Sequence, residues 1–208
     1  MNTDIIKVGT FLLAITIILS VFSYSNGLSD NAKPSDKVTL TIYKQHLNLN
    51  SPEIKQLLAH NWKYVNESNG GIYLVYNTQN KITNNGIGFL QDQTLGTTPS
   101  NTAYANWIAL TTDSATPAYT DTTCTSEITT NGLQRVAGVL TKGTPSAGTS
   151  VSTVVKTFTS TGTFTAVDKA CLFTASSSGT LVADTLFSSV NMVSGDQLTI
   201  NWSITITY

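Results

Sequence analysis

The chain has 208 residues, of which 40% are hydrophobic and only 11% are charged, and its formal net charge is -1. It is long enough for one ordinary domain with an appendage, and it is too hydrophobic and too weakly charged to be intrinsically disordered. The balanced charge provides no cluster of Lys and Arg for phosphate groups, which argues against nucleic acid as a partner. The abundant Thr, Val and Ile favour β-sheet.

Residues 1–25 are predicted to be a signal peptide or a membrane anchor. Lys7 precedes an uncharged apolar run over residues 8–22. With its flanks the run has roughly 17 residues, between the length of a signal-peptide core and that of a spanning helix. Ser-Tyr-Ser at 23–25 offers a cleavage site, so we favour a cleaved signal and a mature chain starting near Asn26. The segment also resembles a type IV prepilin, although the usual early acidic residue is missing.

A strand follows a turn-rich linker. Residues 26–36 lack periodicity, whereas residues 37–44 alternate, with Val38, Leu40 and Ile42 on one face. We interpret this strand as a candidate assembly strand, because an exported sandwich can be completed by a strand from a neighbouring subunit. Pairing within its own domain is an equally good interpretation of the same pattern.

The rest of the chain predicts an all-β protein with one short helix. Ser51, Pro52 and Glu53 are typical of a helix start, which predicts a helix over 52–60. Asn-Asn-Gly at 84–86 indicates a turn. Strands are predicted over 71–77, 106–111, 133–141, 151–159, 167–174, 180–187 and 197–207.

This spacing is typical of an antiparallel β-sandwich of the jelly-roll or Ig-like kind. We therefore divide the chain into the signal or anchor at 1–25, the linker at 26–36, a strand, helix and strand region at 37–95, and the sandwich at 96–208.

Residues for catalysis are sparse. His46 and His60 are the two histidines, both lie in the N-terminal part, and the carboxylates are dispersed. Two cysteines do not make a tetrahedral metal site, and the acidic residues form no calcium-loop pattern. We predict neither enzymatic activity nor a metal, cofactor or small-molecule substrate. Trp107 and Trp202 fall on apolar strand faces, which favours core packing over a glycan-binding platform.

Two sequons would become glycosylation sites on export. They begin at Asn66 and Asn201. Asn66 lies in a turn-rich stretch and is the better acceptor, whereas Asn201 falls within a predicted strand.

The order of several motifs from about residue 81 onward resembles β-domains of phage and archaeal-virus virion appendages and of related archaeal surface-filament subunits. The motifs are ITNNG (82–86), NWIAL (106–110), DT (121–122) with EI (127–128), GLQR (132–135), KACLF (169–173) and SGDQLT (194–199). The resemblance implies a sandwich with an assembly or attachment role and no catalytic residue. Cys124 and Cys171 depart from this pattern, which has an aliphatic and a small residue there, and two departures of one kind suggest a disulfide.

The leading hypothesis is therefore a structural subunit of an extracellular filament, a homopolymer built by strand complementation. The alternative is a membrane-tethered adhesin or a virion spike, with a membrane contact through the N-terminal segment. A secreted carbohydrate-active enzyme is the third hypothesis, but it needs a clustered carboxylate pair that the sequence does not present.

Overall fold

The computed structural model describes residues 37–95 and 104–207, which form an all-β sandwich with two short helices. The elements in chain order are β1 Lys37–Gln45, α1 Pro52–Ala59, β2 Lys63–Ser68, β3 Gly71–Gln79, β4 Lys81–Ile82, α2 Asn84–Leu95, β5 Trp107–Thr111, β6 Val136–Ala137, β7 Val139–Thr141, β8 Thr149–Thr159, β9 Phe164–Phe173, β10 Leu181–Met192 and β11 Gln197–Thr207.

Two antiparallel sheets hold these strands. One sheet has the order β2-β3-β1-β11-β8-β7 and the other β4-β10-β9-β5-β6. In the first sheet β1 and β11 bring their apolar faces together, because Leu40 lies opposite Ile200 and Val38 opposite Trp202. These side chains form one core with apolar side chains of the second sheet and with Ile54 and Leu57 of α1. The alternation of apolar and polar residues along these strands therefore determines which face lies in the core.

The segment predicted as one strand over 133–141 is divided between the two sheets. β6 pairs with β5, and β7 pairs with β8. Gly138 lies between them, where a Cβ would be 2.9 Å from Val154 Cγ1. A side chain at this position would clash with β8. The glycine thus lets the chain cross from one sheet to the other.

The turn predicted at 84–86 is wrong, since these residues begin helix α2. The Gly86 N–H donates to Thr83 Oγ1 at 3.0 Å, so Thr83 caps the helix. A Cβ on Gly86 would lie 2.1 Å from the carbonyl oxygen of Val182, which explains why glycine is needed where the helix meets β10. Asn and Gly are common in turns and at helix starts alike, and the capping threonine decides between them here.

The boundary predicted between residues 95 and 96 does not separate two folded units. Every described residue except Thr207 belongs to one compact unit, Ser35–Ile206. β1 of the first range pairs with β11 of the second, and β4 of the first range pairs with β10 of the second. Both ranges therefore contribute strands to both sheets. The predicted signal or anchor at 1–25 and the linker at 26–36 lie outside the described residues.

Candidate functional site

The candidate assembly strand lies inside the six-stranded sheet of its own chain. β1 pairs along its length with β3 on one side and with β11 on the other. Val38, Leu40 and Ile42 are completely buried in the core. Of the two interpretations of the sequence, pairing within its own domain is the arrangement present in the structure. Both edges of the strand are used, and its removal would open the sheet.

Lys44 at the end of β1 is the centre of a buried charged cluster. It continues the inward phase of residues 38, 40 and 42, so its side chain enters the protein and is only 1% exposed. Its Nζ lies 2.5 Å from Asp196 Oδ2, 2.8 Å from Glu53 Oε1 and 2.7 Å from the carbonyl oxygen of Asn191. An ammonium group has three protons, and each has an acceptor here.

Main-chain donors fix the carboxyl group of Asp196, which is fully buried. Its Oδ1 accepts the N–H of Gln45 and its Oδ2 accepts the N–H of Val193, both at 3.0 Å. Gly195 has a φ of +94°, and a Cβ there would lie 1.8 Å from Gln45 Oε1. The turn before β11 therefore requires glycine in order to bring Asp196 against the end of β1.

A second buried lysine lies on β9. Lys169 Nζ is 2.7 Å from Asp113 Oδ2 and 4.0 Å from Asp184 Oδ2. The hydrogen bond from Lys169 lowers the pKa of Asp113, whereas burial, with the nearby charge of Asp121, raises the pKa of Asp184 to about 7. Asp113 is thus the ionised partner of Lys169, and Asp184 keeps its proton up to about neutral pH.

The predicted disulfide is confirmed. Cys124 and Cys171 are joined, with their Cα atoms 6.2 Å apart. Both are buried in a small apolar cluster with Ala109, Phe173 and Leu181, and Trp107 packs against it. The bond ties β9 to the loop between β5 and β6.

Arg135 covers one side of the disulfide cluster. Its guanidinium lies 3.6 Å from the centroid of the Phe173 ring and forms an ion pair with Glu127. Cluster and loop are thereby held by apolar, ionic and covalent contacts together.

The sequons lie in different environments. Asn66 is on the exposed outer strand β2, whereas Asn201 is half-buried on β11 opposite Thr39. The expectation that Asn66 lies in a turn-rich stretch is wrong, since both asparagines are on strands. Asn66 is the more exposed of the two, and glycan attachment at either stays a prediction. Trp202 is in the core, and Trp107 is half-buried beside the disulfide.

A surface cavity of about 370 Å³ lies beside the turn between β2 and β3. Among its lining residues Glu67 is the one with a titratable side chain; the others are Leu47, Asn48, Ser68, Gly70 and Gly71. The cavity therefore does not bring an acid and a base together.

Comparison with models of protein families, with curated proteins and with solved structures finds no match to this chain. Within residues 37–95 and 104–207, no three His, Cys, Asp or Glu side chains converge as metal ligands. Neither described helix is long and apolar enough to cross a bilayer.

Sequence reasoning missed the cluster of Lys44, Glu53 and Asp196. Glu53 is expected only as a helix-start residue, and Asp196 only as part of the SGDQLT motif at 194–199. The strand alternation could have shown that Lys44 is buried, because residues 38, 40, 42 and 44 all lie on the same face of β1. A charge in phase with a core face needs a buried partner.

Proposed function

We propose that the chain is an exported structural protein displayed outside the cytoplasm, with no enzymatic activity. The observation that carries the proposal is the buried Cys124–Cys171 disulfide, because such bonds persist in oxidising compartments and are rare in the cytosol. The low share of charged residues agrees with it. The apolar run at 8–22 supplies a route, as a cleaved signal or as an anchor.

Within this class the geometry favours a tethered adhesin or a virion spike over a filament that donates β1. A donor strand must be available to a neighbour, and β1 has hydrogen-bonded partners of its own on both sides. The proposal includes two finer points. The sandwich is of the jelly-roll or Ig-like kind, and it is related to the virion-appendage domains that it resembles.

A homopolymer would need a different contact, for which β7 is the better edge. β7 is the terminal strand of its sheet, and its Val139 is 71% exposed. The opposite terminal strand, β2, carries Lys63 and Glu67 and has a bulge between Tyr64 and Asn66. Charges and bulges discourage edge pairing, and β7 has neither.

Export is tested by producing the full chain in an exporting host, digesting intact cells with protease, and labelling thiols in denaturant. We expect surface-accessible protein whose thiols are labelled only after reduction. A Cys124→Ser chain is the positive control, because its Cys171 must label without reduction. Intact protein protected inside the cell with two free thiols would overturn the proposal.

The role of β1 is tested with the double variant Leu40→Asp and Ile42→Asp. Its matched control, Thr39→Ser with Thr41→Ser, changes the other face of the strand. We expect the double variant to unfold even as an isolated monomer, since it buries two charges in the core, and the control to stay folded. A double variant that folds as a monomer yet loses filaments made by the wild type would instead support strand donation.

A further inference from the structure

We propose that Lys44 and Asp196 condense into an intramolecular amide, and that Glu53 relays the protons. The bond would join Lys44 Nζ to Asp196 Cγ. It would link the end of β1 covalently to the turn before β11, across 152 residues of sequence. The cluster supplies each part that this reaction needs.

The nucleophile and the electrophile are already in contact. Lys44 Nζ lies 2.5 Å from Asp196 Oδ2, and both side chains are sealed from solvent. The two groups are held by different elements, which fixes their approach before any reaction. Fixed proximity of this kind converts an unfavourable encounter in water into an intramolecular step.

The third group is the Glu53 carboxylate. One carboxylate, that of Asp196, would already balance the positive charge of Lys44, so Glu53 is a second acceptor. Glu53 Oε1 lies 2.8 Å from Lys44 Nζ, is buried, and has no other hydrogen-bond partner. The Glu53 side chain as a whole is 31% exposed, so it is not sealed from water as Lys44 and Asp196 are. This placement suits a group that takes protons from the amine and passes them on.

The atoms of the condensation balance without an oxidant or a reductant. The Lys44 ammonium gives one proton to Glu53, which passes it to Asp196 Oδ2, and the neutral amine then forms the N–C bond to Cγ of the protonated carboxyl group. A second proton leaves the nitrogen as the tetrahedral intermediate collapses. The C–Oδ2 bond breaks with its electron pair on Oδ2, which carries both protons and leaves as water. Glu53 ends as the carboxylate with which it began.

The main chain stabilises the charge that develops. The N–H of Gln45 donates to Asp196 Oδ1, the oxygen that becomes an oxyanion and then the amide carbonyl. A fixed donor at that position is the usual means of stabilising such an intermediate. The N–H of Val193 donates to Oδ2, the departing oxygen. The two oxygens are therefore held in distinct roles.

Burial favours the product over the ion pair. Two buried charges lose their hydration, and their mutual attraction only partly offsets the loss. An amide carries no charge and keeps the hydrogen bond to Oδ1. Since the reaction needs no oxidising compartment, the amide is independent of the export proposed above, and either proposal can fail without the other.

The primary test is the intact mass of the purified, reduced chain. We expect it to be one water lighter than the sequence requires. After trypsin, cleavage at Lys44 should be blocked, so that the peptide 38–55 is joined to the peptide 170–208. An unmodified mass overturns the proposal. So does a water loss confined to a linear peptide, which indicates a cyclic imide at the aspartate.

Variants test the chemistry separately from folding. Glu53→Gln keeps a similar shape and should fold with the full, uncondensed mass; a bond formed at the wild-type rate would overturn the role of Glu53. Asp196→Asn should form the same amide one ammonia lighter, whereas Lys44→Arg should form none. Normal tryptic cleavage after Lys169 is the internal control, and cross-linking there would overturn the specificity of the site.

Discussion

The two buried lysines differ in what surrounds them. Lys44 has two carboxylates within 2.8 Å, whereas Lys169 has one at 2.7 Å and a second at 4.0 Å that keeps its proton up to about neutral pH. Lys44 joins the first and last described strands through the turn before β11. Each cluster lies between strands that pair with each other, β1 with β11 and β9 with β5 and β10, so strand pairing does not distinguish the two lysines. Burial alone therefore does not determine what a lysine does, and the number and charge of its acceptors decide.

The largest effect should come from Lys44→Met. The substitution keeps the apolar stem but leaves the Asp196 carboxylate buried without Lys44, which is its cation in the ion pair and its partner in the proposed amide, and this costs about 3–5 kcal/mol of unfolding free energy. Urea unfolding at pH 7 measures it. Loss of less than 1 kcal/mol would show that main-chain donors alone satisfy Asp196.

The disulfide is a covalent bond to β9, the strand that carries Lys169. Replacing Cys124 and Cys171 together by Ser should lower the unfolding free energy by about 2–4 kcal/mol, because the bond closes a long loop. Thermal unfolding of the double variant, compared with the wild type under non-reducing conditions, gives the value. An unchanged midpoint would contradict a stabilising bond.

Asp184 should make stability depend on pH. Its pKa is raised in the folded state from 3.8 to about 7, so the folded protein holds a proton that the unfolded chain releases. Stability is then highest below pH 3.8 for this group, and is lost as the pH rises through 7. Between pH 5 and 7 we expect a loss of about 2 kcal/mol. Asp184→Asn should flatten this part of the profile, and Lys44→Met should leave its slope in place.

Lys169→Met should have the smallest effect, about 1 kcal/mol. Asp184 needs no cation while it is protonated, and Asp113 is 20% exposed and can be solvated without Lys169. The same urea measurement at pH 6 compares it with Lys44→Met. An equal loss in the two variants would remove the distinction between the clusters.

Much of the sandwich was predictable, because a strand that buries one face shows apolar and polar residues alternating with a period of two in its sequence. β1 and β11 were located to within one residue, and a chain with two cysteines has a single intramolecular pairing. β2 was missed because Lys63–Ser68 is exposed throughout and shows no buried face. Helix α2 was missed because its start depends on Thr83 and on a close approach to β10, a tertiary contact that no local pattern contains.

The charged clusters could not be predicted from the sequence, because they also depend on tertiary contacts. Lys44 and Asp196 meet through the register of β1 with β11, and the position of Glu53 depends on how α1 docks. Phase alone would have marked Lys44 as buried. It would not have named its partners, which come from distant parts of the chain.

The pairing of β1 with β11 also sets an order for folding. β1 can find β3 early, because the two are close in sequence, but its other edge must wait for the last described strand. Such long-range pairing slows folding, since loop closure precedes the contacts that reward it. A chain interrupted before β11 would expose a long apolar edge beside the core, an aggregation hazard. If the chain is exported as proposed, the same delay would keep β1 without its second partner until β11 has left the export channel.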